Sequence, residues 1–391
     1  MAEPDFSLPR TTELLEAEIE EGLFTRGAQV AVDLYGEGQG SLAMGDDGRG
    51  TPVEQDTVFR VYCTIKPVTV LAVAKLVDSG TLDLDEPLRE RLPEYRVLAD
   101  GQVTLRRVLN HTAGLHRPMA IELELMPPDK RVEHLQQFDR PIDFTVGVDA
   151  GYSEWFGWHV VGRVLEEATG EPLREHLRRV VIEPLGMTDT WIGMTQEEYR
   201  EILGRLGVNH DLRSMQPYPL LLERGVRMCT EVNPSHGGYS TALDLCRLYA
   251  AVIAQLDRDD NPDLPSAEVL RAFTSTDRQA TYDRVLDRVC EHGLGFMTSL
   301  AEHAFGRHCS PRSFGHSGNV GSSFAWADPD NGLAAAVVFN GVVDPDSAFL
   351  RRPAIVRAIV TDLGLDDAPR PAQGEDDEAE EPPRRRWFRR G

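Results

Sequence analysis

The chain is poor in positive charge: 41 Lys and Arg residues stand against 64 Asp and Glu, a net charge of −23. Phosphate backbones are held by concentrated Lys and Arg, so this balance argues against nucleic acid as a partner and for a solvated acidic surface. Cysteine is also scarce. Cys63, Cys229, Cys246, Cys290 and Cys309 are odd in number and irregularly spaced, with no Cys-x-x-Cys pair. That pattern fits free thiols in a reducing compartment rather than a disulfide framework, a zinc cluster or a redox pair. No run approaches the ~18–20 apolar residues of a membrane span. The N-terminus, MAEPDFSLPRTTELLEAEIEEGL, lacks the basic start and apolar stretch of a secretory signal. A cytoplasmic protein without an integral membrane segment is expected. There is no internal repeat of fixed period, and the glycines of YGEGQGS lack the Lys-Ser/Thr of a phosphate loop, so they read as a hairpin turn.

What is present suffices for a large core. At 391 residues and 41% hydrophobic content, the chain has room for two lobes, or one domain with an insertion. Residues 11–23 carry Glu and Leu at helical spacing, and 29–42 alternate like two strands about a turn. VTVLAVAKLVDS, 68–79, is apolar along its inner side, as a helix buried between layers would be. From Leu82 to Arg284 amphipathic helices mix with Pro/Gly turns. GLGFMTSL, RSFGHSGNVGSSFAWADP and GLAAAVVFNG then read as strands that pair with the N-terminal hairpin, ahead of a helix over 346–363. The expected fold is α/β of the α+β type: an antiparallel β-sheet flanked by helices, from 1–81 and 285–364, with a mostly helical lobe inserted over 82–284. An acidic block followed by a basic one, without hydrophobic periodicity, makes 365–391 a disordered tail. Its RRRWFRR end offers a site for an acidic partner or a membrane surface, although the adjacent acidic run can satisfy it in cis.

The segment FRVYCTIKPV, 59–68, sets Cys63 and Lys66 three residues apart at the head of the apolar helix, on one face of its first turn. A thiol near its ordinary pKa of ~8.5 is weakly ionised at neutral pH, and a neighbouring ammonium creates the thiolate that attacks acyl carbonyls. Lys66 supplies that charge, or acts as base once desolvated. Taken alone, such a pair is common by chance, and a buried structural cysteine is the plainer reading. Cys246, in LDLCRLYAAVI, is read that way. His303, His308 and Cys309 lie close in sequence but fit no standard ligand spacing, so neither a metal site nor a cofactor is expected.

Context changes the reading of Cys63. Phe59-Arg60 before it, Lys66-Pro67 after it, then KLVDSGTLDLDEPLRERLPEY and VTLRRVLNHTAGL, follow one another in the order of a known pattern. Over roughly 29–364 the chain resembles the β-lactamase-related Ser-x-x-Lys family, in the branch of class C β-lactamases, esterases and transacylases, with Cys63 where that family has serine. The resemblance implies a β-lactamase/transpeptidase-like fold with the site between sheet and helical lobe. It implies a Tyr-x-Asn motif at Tyr152-Ser153-Glu154, with Tyr152 as general acid/base and Trp155, Phe156 and Trp158 as core or pocket wall. Glu154 replaces the family's Asn. An ionised carboxylate cannot donate to a substrate carbonyl, but it can pair with Lys66 or an amine substrate, or simply face solvent. A third motif, His-x-Gly, falls on His316-Ser317-Gly318, where His316 would polarise the substrate or shuttle a proton and Gly318 would let substrate approach the backbone. The oxyanion donors are expected to be the N–H of Cys63 and one near Asn319 or Val320. In PSHGGYSTALDL, Gly237, Gly238 and Tyr239 are expected to shape the rim and Ser240 to begin a helix.

The enzyme so implied takes an acyl group from an ester, thioester or amide onto Cys63 and passes the thioester to water or another nucleophile. It would be a transacylase or thioesterase in specialised small-molecule metabolism, its partners an acyl donor and acceptor, free or carrier-protein-bound. Esterase or β-lactamase-like hydrolysis is the alternative, and the missing motif Asn and third-motif Lys tell against efficient β-lactamase action. A non-catalytic ligand-binding homologue is a third reading, against which stands the retention of Lys66, Tyr152 and His316. The loops 119–140 and 193–230, which would select the substrate, carry no chemistry that identifies it.

Overall fold

Strands β1 (Gly27–Leu34) and β2 (Gly38–Gly45) pair antiparallel as the expected hairpin, and β1 pairs on its other side with the last long strand of the sheet. In this computed structural model, residues 6–22, 25–35, 38–116, 126–214 and 216–366 are described. The turn residues Gly36 and Glu37, part of the loop expected over 119–140, and the tail from residue 367 onward lie outside them. The remaining sheet strands are β3 (Arg278–Asp283), β4 (Arg288–His292), β5 (Met297–Thr298), β6 (Phe314–Gly318), β7 (Ser323–Asp328) and β8 (Leu333–Phe339). They complete an eight-stranded antiparallel sheet in the order β2-β1-β8-β7-β6-β5-β4-β3.

Strand β8, LAAAVVF, is buried along its whole length because helices cover both faces of the sheet. Leu333, Ala335, Val337 and Phe339 point into one layer with Val30, Val32, Phe324 and Trp326. That layer is closed by helix α1 (Pro9–Glu21), through Leu15, and by the C-terminal helix (Pro345–Asp362), through Ile355 and Ile359. Ala334, Ala336 and Val338 point the other way, toward Leu245, Leu248 and Val252 of a helix spanning Ala242–Arg258. Alanines on that side let the helix lie close. Helix α2 (Lys66–Asp78) runs through the same layer with every residue from Lys66 to Ala74 buried, which accounts for its almost unbroken apolar sequence. Helix α3 (Phe156–Thr169), capped by Gly170 at φ 66°, contributes Trp158, Val161 and Leu165 to this core. The helices over Ala242–Arg258 and Pro345–Asp362 are labelled α4 and α5.

Two expectations need correction. The boundary placed at 284/285 does not precede the C-terminal strands: β3 already starts at Arg278, and α4 packs on the sheet from within the segment assigned to the helical lobe. Pairing between β3 and β4 is exposed along one face, so β3 shows little of the apolar alternation that marks the other strands. Ser240 does not begin α4. It ends a short strand, Gly238–Ser240, and bonds Thr190 at 2.8 Å, while the Thr241 hydroxyl caps the helix by accepting from the N–H of Asp244. Cys246 is buried in the core as expected. Among the described residues no helix is long and apolar enough to cross a membrane.

Candidate active site

The site forms where α2 begins. Phe59–Arg60 pairs with Tyr239–Ser240 in a small sheet, and the chain then turns through a 3-10 segment, Tyr62–Ile65, into α2. This turn holds Tyr62 at φ 48°, a left-handed conformation that is costly for a residue with a Cβ. The Tyr62 hydroxyl donates to the Glu223 carboxylate at 2.7 Å, and Arg60 and Asn209 donate to the same carboxylate at 3.2 and 3.1 Å. The strained residue is thereby fastened from its far end. Cys63 follows it, half-buried, while Lys66 one turn on is fully buried.

Beneath Cys63 lie Lys66 and Tyr152. Lys66 Nζ donates to the Tyr152 hydroxyl at 2.8 Å and to the backbone carbonyl of Glu154 at 3.4 Å, and Cys63 is close enough to both side chains to act on their charge. Nζ also lies 4.9 Å from the centre of the Tyr152 ring and 5.5 Å from that of Trp158, so Trp158 is a wall of the lysine's pocket. Burial lowers the Lys66 pKa, opposed by Cys63 and the Glu154 charge. The same burial, with Cys63 and then Glu154 added, raises that of Tyr152 well above the ordinary phenol, which stays protonated. The expected pairing of Glu154 with Lys66 is thus divided: its carbonyl makes the contact, and its carboxylate acts at longer range.

Strand β6 brings the third motif to the same place. Gly318 packs against the Cys63 turn, where an added Cβ would lie 2.4 Å from the Val61 carbonyl and 2.6 Å from Ser323 Oγ. Its lack of a side chain serves this internal contact, which Ser323 reinforces by donating to Val61 O at 2.6 Å. Asn319 and Val320 follow at φ 29° and 54°, a left-handed turn at the edge of the site. His316 is fully buried, its ring centre 6.2 Å from that of Tyr152. Its Nδ1 faces the Ser317 carbonyl at 3.0 Å, so Nδ1 carries the proton and Nε2 is a bare acceptor. Burial, with Lys66 nearby, holds it neutral, its pKa well below the usual range. His316 therefore offers Nε2 only as a hydrogen-bond acceptor and has no N–H free to polarise a carbonyl. Gly238 and Tyr239 do not shape a rim: Gly238 is pressed against Ile65, and Tyr239 is buried with its hydroxyl on the Glu223 carbonyl.

Sequence reasoning assigned no role to His111, although it stands in the VTLRRVLNHTAGL block. Its ring packs on Tyr152 at 4.6 Å between centres, its carbonyl accepts the Gly151 N–H at 3.0 Å, and its Nδ1 accepts the Ser153 N–H at 3.1 Å. The polar step Asn110-His111-Thr112 after the short helix Leu105–Leu109 was the available signal. Among the described residues no group of three or more His, Cys, Asp or Glu side chains is arranged to hold a metal.

Fold and site together define a protein of β-lactamase/transpeptidase-like architecture. Comparison with known proteins gives the family: residues 15–359 match the beta-lactamase family, and the chain belongs to it. Esterase EstB of Burkholderia gladioli is 32% identical over 214 residues, 50% of this chain and 51% of its own, so the match spans about half of that relative. The esterase/beta-lactamase LipL of Mycobacterium tuberculosis is 25% identical over 348 residues, 82% of this chain and 78% of its own. A penicillin-binding protein homologue from Caulobacter crescentus superposes with a TM-score of 0.73 at 26% identity, covering 90% of this chain and 97% of its own. Acyltransferases of Penicillium species match over shorter stretches.

Proposed function

We propose that this chain forms an acyl-enzyme on Cys63 and passes the acyl group to a small-molecule acceptor or to water. At the coarser level it is an enzyme of the hydrolase and acyltransferase kind, as its family and its esterase and acyltransferase relatives support. The observation that carries the finer reading is the buried Lys66–Tyr152 hydrogen bond of 2.8 Å directly beside Cys63. In the first step sulfur bonds to the acyl carbon of an ester, thioester or amide, the thiol proton passes to Lys66, and the bond to the leaving group breaks as Tyr152 gives it a proton and is reprotonated by Lys66. In the second step the acceptor attacks the thioester, gives up its proton through the same pair, and sulfur leaves. Thioesters react readily with amines and thiols, so transfer is as available to this site as hydrolysis.

Intact mass spectrometry after incubation with acyl thioesters, activated esters and a penicillin tests this, with Cys63→Ala in parallel. A mass gain that requires Cys63 and disappears when an amine is added is the expected result. Absence of any adduct or Cys63-dependent turnover across the panel favours a non-catalytic ligand-binding homologue instead. An adduct lost equally fast with and without amine favours the hydrolase.

A further inference from the structure

The Tyr152 hydroxyl has to stay in register with both Cys63 and Lys66, yet Tyr152 sits on an irregular stretch, 150–155, ahead of α3. The three backbone N–H groups around it are each held from outside the stretch. Those of Gly151 and Ser153 go to His111, whereas that of Tyr152 goes to the carboxylate of Asp283 at 2.9 Å. Asp283 is fully buried at the end of β3, on the far edge of the sheet. The same oxygen, Oδ1, accepts from Val285 at 3.0 Å and Leu286 at 3.1 Å, and Oδ2 pairs with Arg278 at 3.1 Å. Arg278 is itself buried, donating to the Asn110 carbonyl at 3.2 Å, next to His111, and to Cys290. Around the anchor, Ala150 pairs with Asp283 in a parallel bridge and its carbonyl accepts from Arg284 at 3.0 Å.

A buried ion pair between two groups that make six further bonds is expensive to build and adds little net stability over a packed apolar pair, so its place behind Tyr152 points to positioning. We propose that Asp283, clamped by Arg278, is a positioning residue that ties the Tyr152 backbone to the edge of the sheet and so holds its hydroxyl on Cys63 and Lys66. The proposal rests on Tyr152 being the acid/base of the site. Asp283 does not reach the thiol or a substrate, and acts only through Tyr152.

The test is a double-mutant cycle between Asp283→Ala and Tyr152→Phe, with Asp283→Asn and Asp328→Asn alongside. Two rates are read: Cys63 alkylation by iodoacetamide, which needs no acyl donor, and donor turnover split into kcat and KM. Alone, Asp283→Ala is expected to lower both the alkylation rate and kcat by about tenfold to 10²-fold, with KM moving far less. In the Tyr152→Phe background it should add almost nothing. Asp283→Asn keeps an oxygen for the three N–H groups and should fall between wild type and Ala. Asp328 is buried at the opposite end of β7, where it accepts from Ser310 and Asn331, and Asp328→Asn should lose stability without touching either rate. An Asp283→Ala effect that is the same size in both backgrounds overturns the proposal, as does loss of folding in both Asp283 variants. An alkylation rate indifferent to Tyr152→Phe defeats the reading of Tyr152 itself. One that responds to Tyr152→Phe but not to Asp283→Ala defeats only the positioning role.

Discussion

Gly318→Ala probes how tightly the third motif and the Cys63 turn are fitted. The added Cβ would lie 2.4 Å from the Val61 carbonyl, 2.6 Å from Ser323 Oγ and 3.0 Å from Thr64 Oγ1. Opening the first contact even to 3.0 Å moves backbone on one side by more than half an ångström, because the Val61 carbonyl is not the end of a flexible side chain. The displaced group is two residues before Cys63 and accepts the Ser323 hydroxyl, so the strain reaches the turn directly. Overpacking of this kind costs about 1–3 kcal/mol. A misplacement approaching 1 Å lowers reaction rates by about 10²-fold, so this smaller shift should cost about tenfold or somewhat more in Cys63 acylation. Urea denaturation gives the first quantity, and the rate of adduct formation in intact mass spectra gives the second. Gly204→Ala is the control, since nothing lies within 4 Å of its added Cβ, and it should change stability by no more than about 0.5 kcal/mol. A Gly318→Ala protein with wild-type stability and acylation rate would show that the close approach of β6 to the Cys63 turn has no bearing on the site.

Three further outcomes follow from the same geometry. Burial raises the Glu18 pKa from 4.5 to about 7, with Arg351 opposing, so the folded state binds more protons than the unfolded one between those values. Stability therefore falls as pH rises through that window, by about 3 kcal/mol in all; Glu18→Gln should flatten the fall and be the more stable protein above pH 7, as read by denaturant midpoints across pH. Tyr62→Phe leaves the Glu223 carboxylate without a 2.7 Å donor and frees a residue held at φ 48°. A loss of about 1–3 kcal/mol together with slower Cys63 alkylation is expected, and unchanged alkylation would separate this clamp from the site. Lys66→Met should abolish acylation and yet raise stability by about 1 kcal/mol, since burial disfavours the charged form; a large destabilisation would mean that the ammonium is structurally required.

Much of the fold could be read from local patterns because those patterns coincide with the layers. The hairpin at 27–45, the apolar α2 and the three C-terminal strands each carry the run or alternation of apolar residues that their burial requires. The limits of the sheet could not, since β3 alternates weakly and is recruited by its pairing with β4 and by the buried Asp283 at its end. Of the candidate site residues, Cys63, Lys66, Tyr152 and His316 converge, and Cys63 with Lys66 could be placed on one face from spacing alone. Joining Tyr152 to them took the resemblance, because eighty-odd residues of intervening chain leave no local trace of the contact. His111, Glu223 and Asp283 escaped for a related reason. Each acts by bonding a backbone or side-chain group that is distant in sequence, and nothing in its own neighbourhood marks it.

In the proposed reaction Cys63 supplies the attacking atom. A thiol is in general a far stronger acid than an alcohol, and burial lowers the pKa of Lys66, so a weakened base at Lys66 suits sulfur better than oxygen. A hydroxyl at the same position is a far weaker acid, and its proton has to leave in concert with attack, which demands close contact with the base. The shorter bond from Cβ to oxygen draws that atom back from Lys66 and Tyr152, whose positions are fixed by packing against Trp158 and His111. Cys63→Ser is therefore expected to lose at least about tenfold in acylation rate, although serine is the residue the family resemblance implies there. Equal or faster acylation of the serine protein would mean that the pocket is shaped for oxygen and that sulfur contributes nothing to the reaction.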